Sequence, residues 1–160
     1  MFDVSVNDGQ TYRESKRFIA GDKTVLVQMN GWRLGMTICY DLRFPYIYRR
    51  LAQHGADIIS IPAAFTRVTG TAHWHSLMRA RAIENGVFIV SPAQCGTHAA
   101  GRQTYGHALV VDPWGEVLSD AGTQPSLTLT SINLDAVRKA RDAIPSLTSD
   151  REGDIGLELI

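Results

Sequence analysis

Little in this chain can staple it, gather polyanions or enter a bilayer. It has 2 cysteines in 160 residues, Cys39 and Cys95, each in or at the end of an apolar run instead of a loop. A disulfide framework is not expected, and two thiols so far apart make no metal-ligand pattern. Its 16 basic side chains are balanced by 16 acidic ones, a net charge of zero, so no strong field collects nucleic acid or an anionic membrane. No apolar run reaches the ~20 residues needed to span a bilayer. The opening MFDVSVNDGQTYRESKRF is polar and acidic early, with no apolar h-region; this argues against a secretory signal and makes the cytoplasm the expected location. Repeats and low-complexity tracts are missing as well.

What is present has the makeup of an ordinary globular protein, with 44% hydrophobic residues. A chain of this length can bury roughly 68–70% of its extended surface, so residues 1–160 are read as a single domain. Within it, residues 1–22 are a polar, turn-rich arm and residues 146–160 a tail. Strand-like runs at 24–29 and 33–38 flank Asn30-Gly31, a two-residue hairpin signal. Pro45 opens a helix that Gly55 stops, giving 45–54. ADIISIPAAF and VFIVSPAQC are continuous apolar runs, as in strands covered on both faces. Between them Thr71 is placed to cap a helix over 73–85, with Trp74, Leu77, Met78 and Ala82 as its buried stripe, Arg79, Arg81 and Glu84 on its polar side, and Gly86 as its stop. HALVVDPWGEVLSD reads as a hairpin, SLTLTSINL as a further strand, and LDAVRKARDAI as an amphipathic helix. The alternation of strands and helices over 33–95 predicts an α/β sheet.

The stretch GMTICYDLRFP puts Cys39 just past the carboxyl end of a strand and before a helix, where α/β folds place their ligands. A sharp turn there exposes the side chain and points the Tyr40 N–H at an oxyanion on an attacked carbon, as in a nucleophile elbow. The competing interpretation is that Cys39 is a small apolar filler, since free cysteine is among the most buried residue types.

Four segments decide between them: GMTICYDLRFP, AAFTRVTGTAHWHSLMRARAIENGVFIV, AQCGTHAAGRQTYGHALVVDPWGEV and FDVSVNDGQTYRESKRFIAGD. Together they resemble the nitrilase superfamily of carbon–nitrogen hydrolases, in the family's order and spacing from residue 2 to about residue 145. The AQCG and TYGHALVVDPWGEV segments are most similar to the Nit branch of deaminated glutathione amidases and, more distantly, ω-amidases. The resemblance implies an α-β-β-α sandwich and a thiolate, Cys39, that attacks an amide carbon, releases the amine and leaves a thioester for water to hydrolyse. It implies a small carboxylate-bearing amide as substrate, and neither a metal nor an organic cofactor.

The family also uses a glutamate base and a lysine. The lysine lies in a Lys-x-His segment directly before the Phe-Asp-Val that matches residues 2–4, and the base lies further upstream; neither is in this sequence. The expectation is therefore the C-terminal portion of such an enzyme, its sandwich incomplete and the chain as given inactive or nearly so. Loss of a general base costs typically 10²–10⁴-fold and loss of an oxyanion partner about 10²–10³-fold. A second family glutamate, which positions lysine and cysteine, matches Glu14; the alternative for Glu14 is a solvated acid beside Arg13 and Lys16.

Other residues compete for roles. His73 and His75 are two apart on a helix and cannot chelate together, His54 lies at a helix end, and His98 and His107 flank a glycine-rich loop, so no metal site is expected. His73 is assigned to structure before chemistry, and Cys95 is read as a core or near-site thiol. The arginines of RRLAQH and RARAIEN suit a solvated or intersubunit face, and the resemblance implies a two-fold homodimer through helices 45–54 and 73–85. Loops 66–71 and 96–106 are the places for substrate contacts. A second hypothesis of a different class is a non-catalytic remnant that only binds or dimerises.

Overall fold

The computed structural model describes residues 2–5 and 11–149. Its frame is one mixed six-stranded sheet. Strand β3 (Val25–Met29) turns back into β4 (Trp32–Met36), pairing Val25 with Met36 and Met29 with Trp32. The turn residues have φ of 31° at Asn30 and 91° at Gly31, the doubly left-handed turn that Asn-Gly favours in hairpins. Parallel neighbours follow: β5 (Ile58–Ser60) beside β4, then β6 (Phe88–Ser91) beside β5. Antiparallel β9 (Leu109–Val111) and β10 (Val117–Asp120) complete the order β10-β9-β6-β5-β4-β3.

Helix α1 (Pro45–Gln53) links β4 to β5, and α2 (Arg67–Asn85) links β5 to β6. Both pack on one sheet face. There Ile59 and Ile89 meet Tyr48 and Leu51 of α1 and Trp74 and Met78 of α2, all in one buried cluster. Successive strand residues point to opposite faces, so Ile58 and Phe88 face the other way and pack with Val137 of α3 (Asp135–Ala143). Among the described residues no helix is long and apolar enough to cross a membrane.

Several expectations need correction. The arm is not all loop: β1 (Asp3–Ser5) pairs with β2 (Thr11–Arg13), and a 3₁₀ turn follows at Glu14–Lys16. The NDG signal within it, residues 7–9, lies outside the described residues. Helix α2 starts at Arg67, six residues before the expected start at His73, and Thr66 caps it in place of Thr71, accepting from the Thr69 N–H at 3.4 Å. The run 66–71 is therefore helix start, not loop. Gly70 hides this from propensity, because the Tyr105 ring lies where a Cβ would stand, 2.3 Å away. β6 ends at Ser91, and Cys95 opens a separate short pair, β7 (Cys95–Thr97) with β8 (Gln103–Tyr105). Residues 126–134 form no strand; Leu127 and Leu129 are 88% and 93% exposed. Of the tail, residues 150–160 lie outside the described residues.

Candidate active site

Cys39 begins a short 3₁₀ turn, Cys39–Arg43, that joins β4 to α1. Parallel register brings three chain segments to one end of the sheet. Met36 pairs with Ser60, and just beyond the strands the N–H of Cys39, three residues past Met36, donates to the carbonyl of Pro62, two residues past Ser60, at 2.9 Å. Ala63 bridges Ala93 in the same direction. The carboxyl ends of β4, β5 and β6 thus converge, as the α/β arrangement of ligand sites requires.

The turn is held by its own residues and by a helix. The Ile38 N–H donates to Asp41 Oδ2 at 2.8 Å, and the Asp41 N–H returns to the Ile38 carbonyl at 2.9 Å. Cys39 has φ of 46°, a left-handed conformation uncommon outside glycine and a mark of strained functional turns. Arg81 of α2 fixes the far end: its Nε and Nη2 donate to the Leu42 carbonyl at 3.0 and 2.8 Å. Its Nη1 pairs with Glu84 at 2.8 Å. This corrects the assignment of Arg81 to a solvated face, since it is only 6% exposed. Arg43 lies over the Tyr40 and Phe65 rings and contacts His73 Nδ1 at 3.4 Å, so His73 packs beside the turn.

Cys39 is half-buried and lines an open cleft of about 1130 Å³. The thiol is not sealed in the core. Burial pushes it up from the ordinary thiol pKa, and the Glu14 carboxylate pushes the same way; the Ala64 and Tyr40 N–H groups and the Arg102 guanidinium pull it down, without reversing the shift. Glu14 shares the cleft and accepts the Phe2 N–H at 2.9 Å. Glu14 is therefore brought beside Cys39 and Tyr40, from which it is well separated in sequence. Cys95 is not among the residues of this cleft, and lines a neighbouring one.

Two participants had no individual signal in the sequence. Ala64 reaches the sulfur only through strand register, and an alanine offers nothing but its backbone. Arg102 stands in the predicted contact loop 96–106, and its Nη2 donates to the Ala64 carbonyl at 2.9 Å, which anchors the guanidinium at the cleft. With Arg13, Lys16 and Arg17 it gives the cleft a basic lining around Glu14, the one carboxylate there among the described residues.

The carbon–nitrogen hydrolase family model matches residues 1–142. The chain belongs to the carbon–nitrogen hydrolase family. It is 48% identical over 149 residues to a deaminated glutathione amidase of Synechocystis sp., covering 92% of this chain and 55% of that protein. The C. elegans NitFhit protein superposes with a TM-score of 0.82 at 38% identity, over 94% of this chain and 37% of that one. An amidase variant from Nesterenkonia sp., which shows Michael addition of acrylamide at its active-site cysteine, has a TM-score of 0.68 at 28% identity, over 82% of this chain and 52% of that one. The chain thus spans about half the length of the curated relatives it matches, and its mixed sheet with flanking helices has the nitrilase-superfamily fold in part.

Proposed function

We propose that Cys39 is the nucleophile of an amide hydrolase that cleaves a small carboxylate-bearing amide, of the kind the deaminated glutathione amidases are named for. One observation carries the proposal: a strained turn sets Cys39 in the wall of an open cleft, its sulfur under the influence of the Ala64 and Tyr40 N–H groups. Sulfur attack on the amide carbon forms the C–S bond, and the carbonyl electron pair moves to oxygen. There a backbone N–H is worth most if it is already aimed before the charge develops. Collapse breaks the C–N bond and expels the amine, which carries off the thiol proton, and leaves a thioester; water then adds to it, its oxygen going to the product acid and one of its protons to the departing thiolate. Glu14 is a positioning residue at the cleft mouth. Arg13, Lys16, Arg17 and Arg102 suit a substrate carboxylate, since guanidinium and ammonium groups favour it.

The raised thiol pKa bears on rate. Only the thiolate attacks, and burial and the Glu14 carboxylate both hold the proton on Cys39. Activity of the chain alone is therefore expected to be low. An activated acyl donor bypasses the need for a base: the mono-p-nitrophenyl ester of glutarate should acylate Cys39, giving a hydroxylamine-labile adduct by mass spectrometry. Cys39→Ala should abolish the adduct and Cys95→Ala should keep it, and the uncharged butyrate ester should react more slowly. An adduct on Cys95, or none, contradicts the assignment. For assembly we propose a two-fold dimer through α1 and α2, a reading supported by the exposed Tyr46 and Ile83 on these helices.

A further inference from the structure

Three side chains from three separate elements meet outside the Cys39 cleft. His75 is on α2, His107 in the turn between β8 and β9, and Asp120 at the end of β10. His75 Nε2 lies 3.0 Å from Asp120 Oδ2, and His107 Nδ1 lies 2.9 and 3.0 Å from the two Asp120 oxygens. All three donor atoms fall within 4.8 Å of one another, and none of the residues is fully buried. We propose that they form a binding site for a divalent transition-metal ion, zinc foremost, with a fourth position open to solvent.

The donor set fits this ion class. Two imidazoles and one carboxylate suit zinc and its neighbours, whereas magnesium and calcium require shells of oxygen. Zinc bound at about 2.0–2.1 Å in a tetrahedron separates its ligand atoms by about 3.3 Å. The separations of 2.9 and 3.0 Å to the carboxylate need a small opening, and donor atoms up to 4.8 Å apart need the imidazoles to turn inward on the ion.

Contacts behind the three residues orient them. His75 Nδ1 lies 3.4 Å from the Tyr105 hydroxyl, and the Gly122 N–H donates to Asp120 Oδ1 at 2.8 Å. The Tyr105 ring stacks on His107 with centroids 4.4 Å apart. The backbone of His107 is itself fixed, its carbonyl accepting the Trp74 indole N–H at 2.8 Å and its N–H donating to the Gly122 carbonyl at 2.6 Å. It holds φ of 55°. Such outer contacts set ring direction and tautomer at metal sites. Proton balance is simple: a neutral imidazole that now donates to Asp120 moves that proton to its other ring nitrogen when the metal takes the first. For His75 the other nitrogen faces the Tyr105 hydroxyl oxygen, which can accept it. A bound ion would tie α2 to the β9–β10 hairpin.

The test is independent of the hydrolase proposal. Zinc chloride is titrated into the intact metal-free chain against a chromophoric chelator, with thermal unfolding followed in parallel. One equivalent should bind and raise the melting temperature. His75→Gln, at a partly exposed position, and Asp120→Asn, at an exposed one, each checked for folding by the same thermal unfolding, should weaken binding by at least about tenfold, the lower end of what even outer-contact changes cause. Cys39→Ser, Cys95→Ser and His73→Gln should leave it unchanged. Absence of binding at about 100 µM zinc, a smaller loss in both cluster variants, or dependence on either thiol overturns the proposal.

Discussion

At Cys39 four neighbours contend over one proton. Burial and the Glu14 carboxylate favour the thiol, while the Ala64 and Tyr40 N–H groups and Arg102 favour the thiolate. Because the thiol wins, the alkylation rate of Cys39 should climb toward higher pH than that of an unperturbed cysteine. Glu14→Gln removes a negative charge, so the thiolate becomes easier to form, the pKa falls, and alkylation at pH 7.5 accelerates. A factor of roughly two to five is expected from one partly screened charge, measured by iodoacetamide kinetics over a pH series. Arg102→Met should move the rate in the opposite direction. Cys39, Tyr40 and Glu14 were legible because their signals are local: a turn sequence and a spaced family motif. Ala64 was not, because its contribution is a peptide N–H delivered by the pairing of β4 with β5, which no single segment encodes.

Helix α2 shows how tertiary contacts override local rules. A glycine inside a helix costs about 1 kcal/mol relative to alanine, and this is what makes residues 66–71 read as loop. Gly70 is required because the Tyr105 ring occupies the space of a Cβ. Gly70→Ala should therefore destabilise the chain by about 1–3 kcal/mol of overpacking, despite its better propensity, as read by urea unfolding. Arg81 shows the reverse case, a charged residue on the predicted polar side that turns inward to the Leu42 carbonyl. Arg81→Met leaves that carbonyl unpaired near the buried Leu42, at a cost of about 1–3 kcal/mol, and should also slow acylation by loosening the Cys39 turn. The segment SLTLTSINL has strand periodicity without a strand, since a period of two needs a partner edge and none meets it among the described residues.

For the whole molecule, the β3 edge and the residues after Glu14 present apolar side chains: Val25 and Met29 of β3 are 49% and 39% exposed, and Phe18 is 65% exposed. Exposed apolar surface of this kind marks contact regions. The α/β class followed from alternating runs, but the order of the strands in the sheet and the packing of α3 on the second face did not, because an amphipathic helix does not name the surface it covers. Light scattering after size exclusion tests the proposed dimer: the chain should run above its monomer mass of 17.6 kDa, and Tyr46→Glu should return it to that mass. Assembly unaffected by this substitution places the contact elsewhere.

The most direct measurement is competition between the two thiols. Limiting acrylamide at pH 9, with both cysteine-bearing peptides quantified by mass spectrometry over time, should modify Cys39 ahead of Cys95, and a short dicarboxylate monoamide should slow only the Cys39 reaction. Equal modification, preference for Cys95, or no protection of Cys39 would contradict the assignment of this sulfur as the attacking atom.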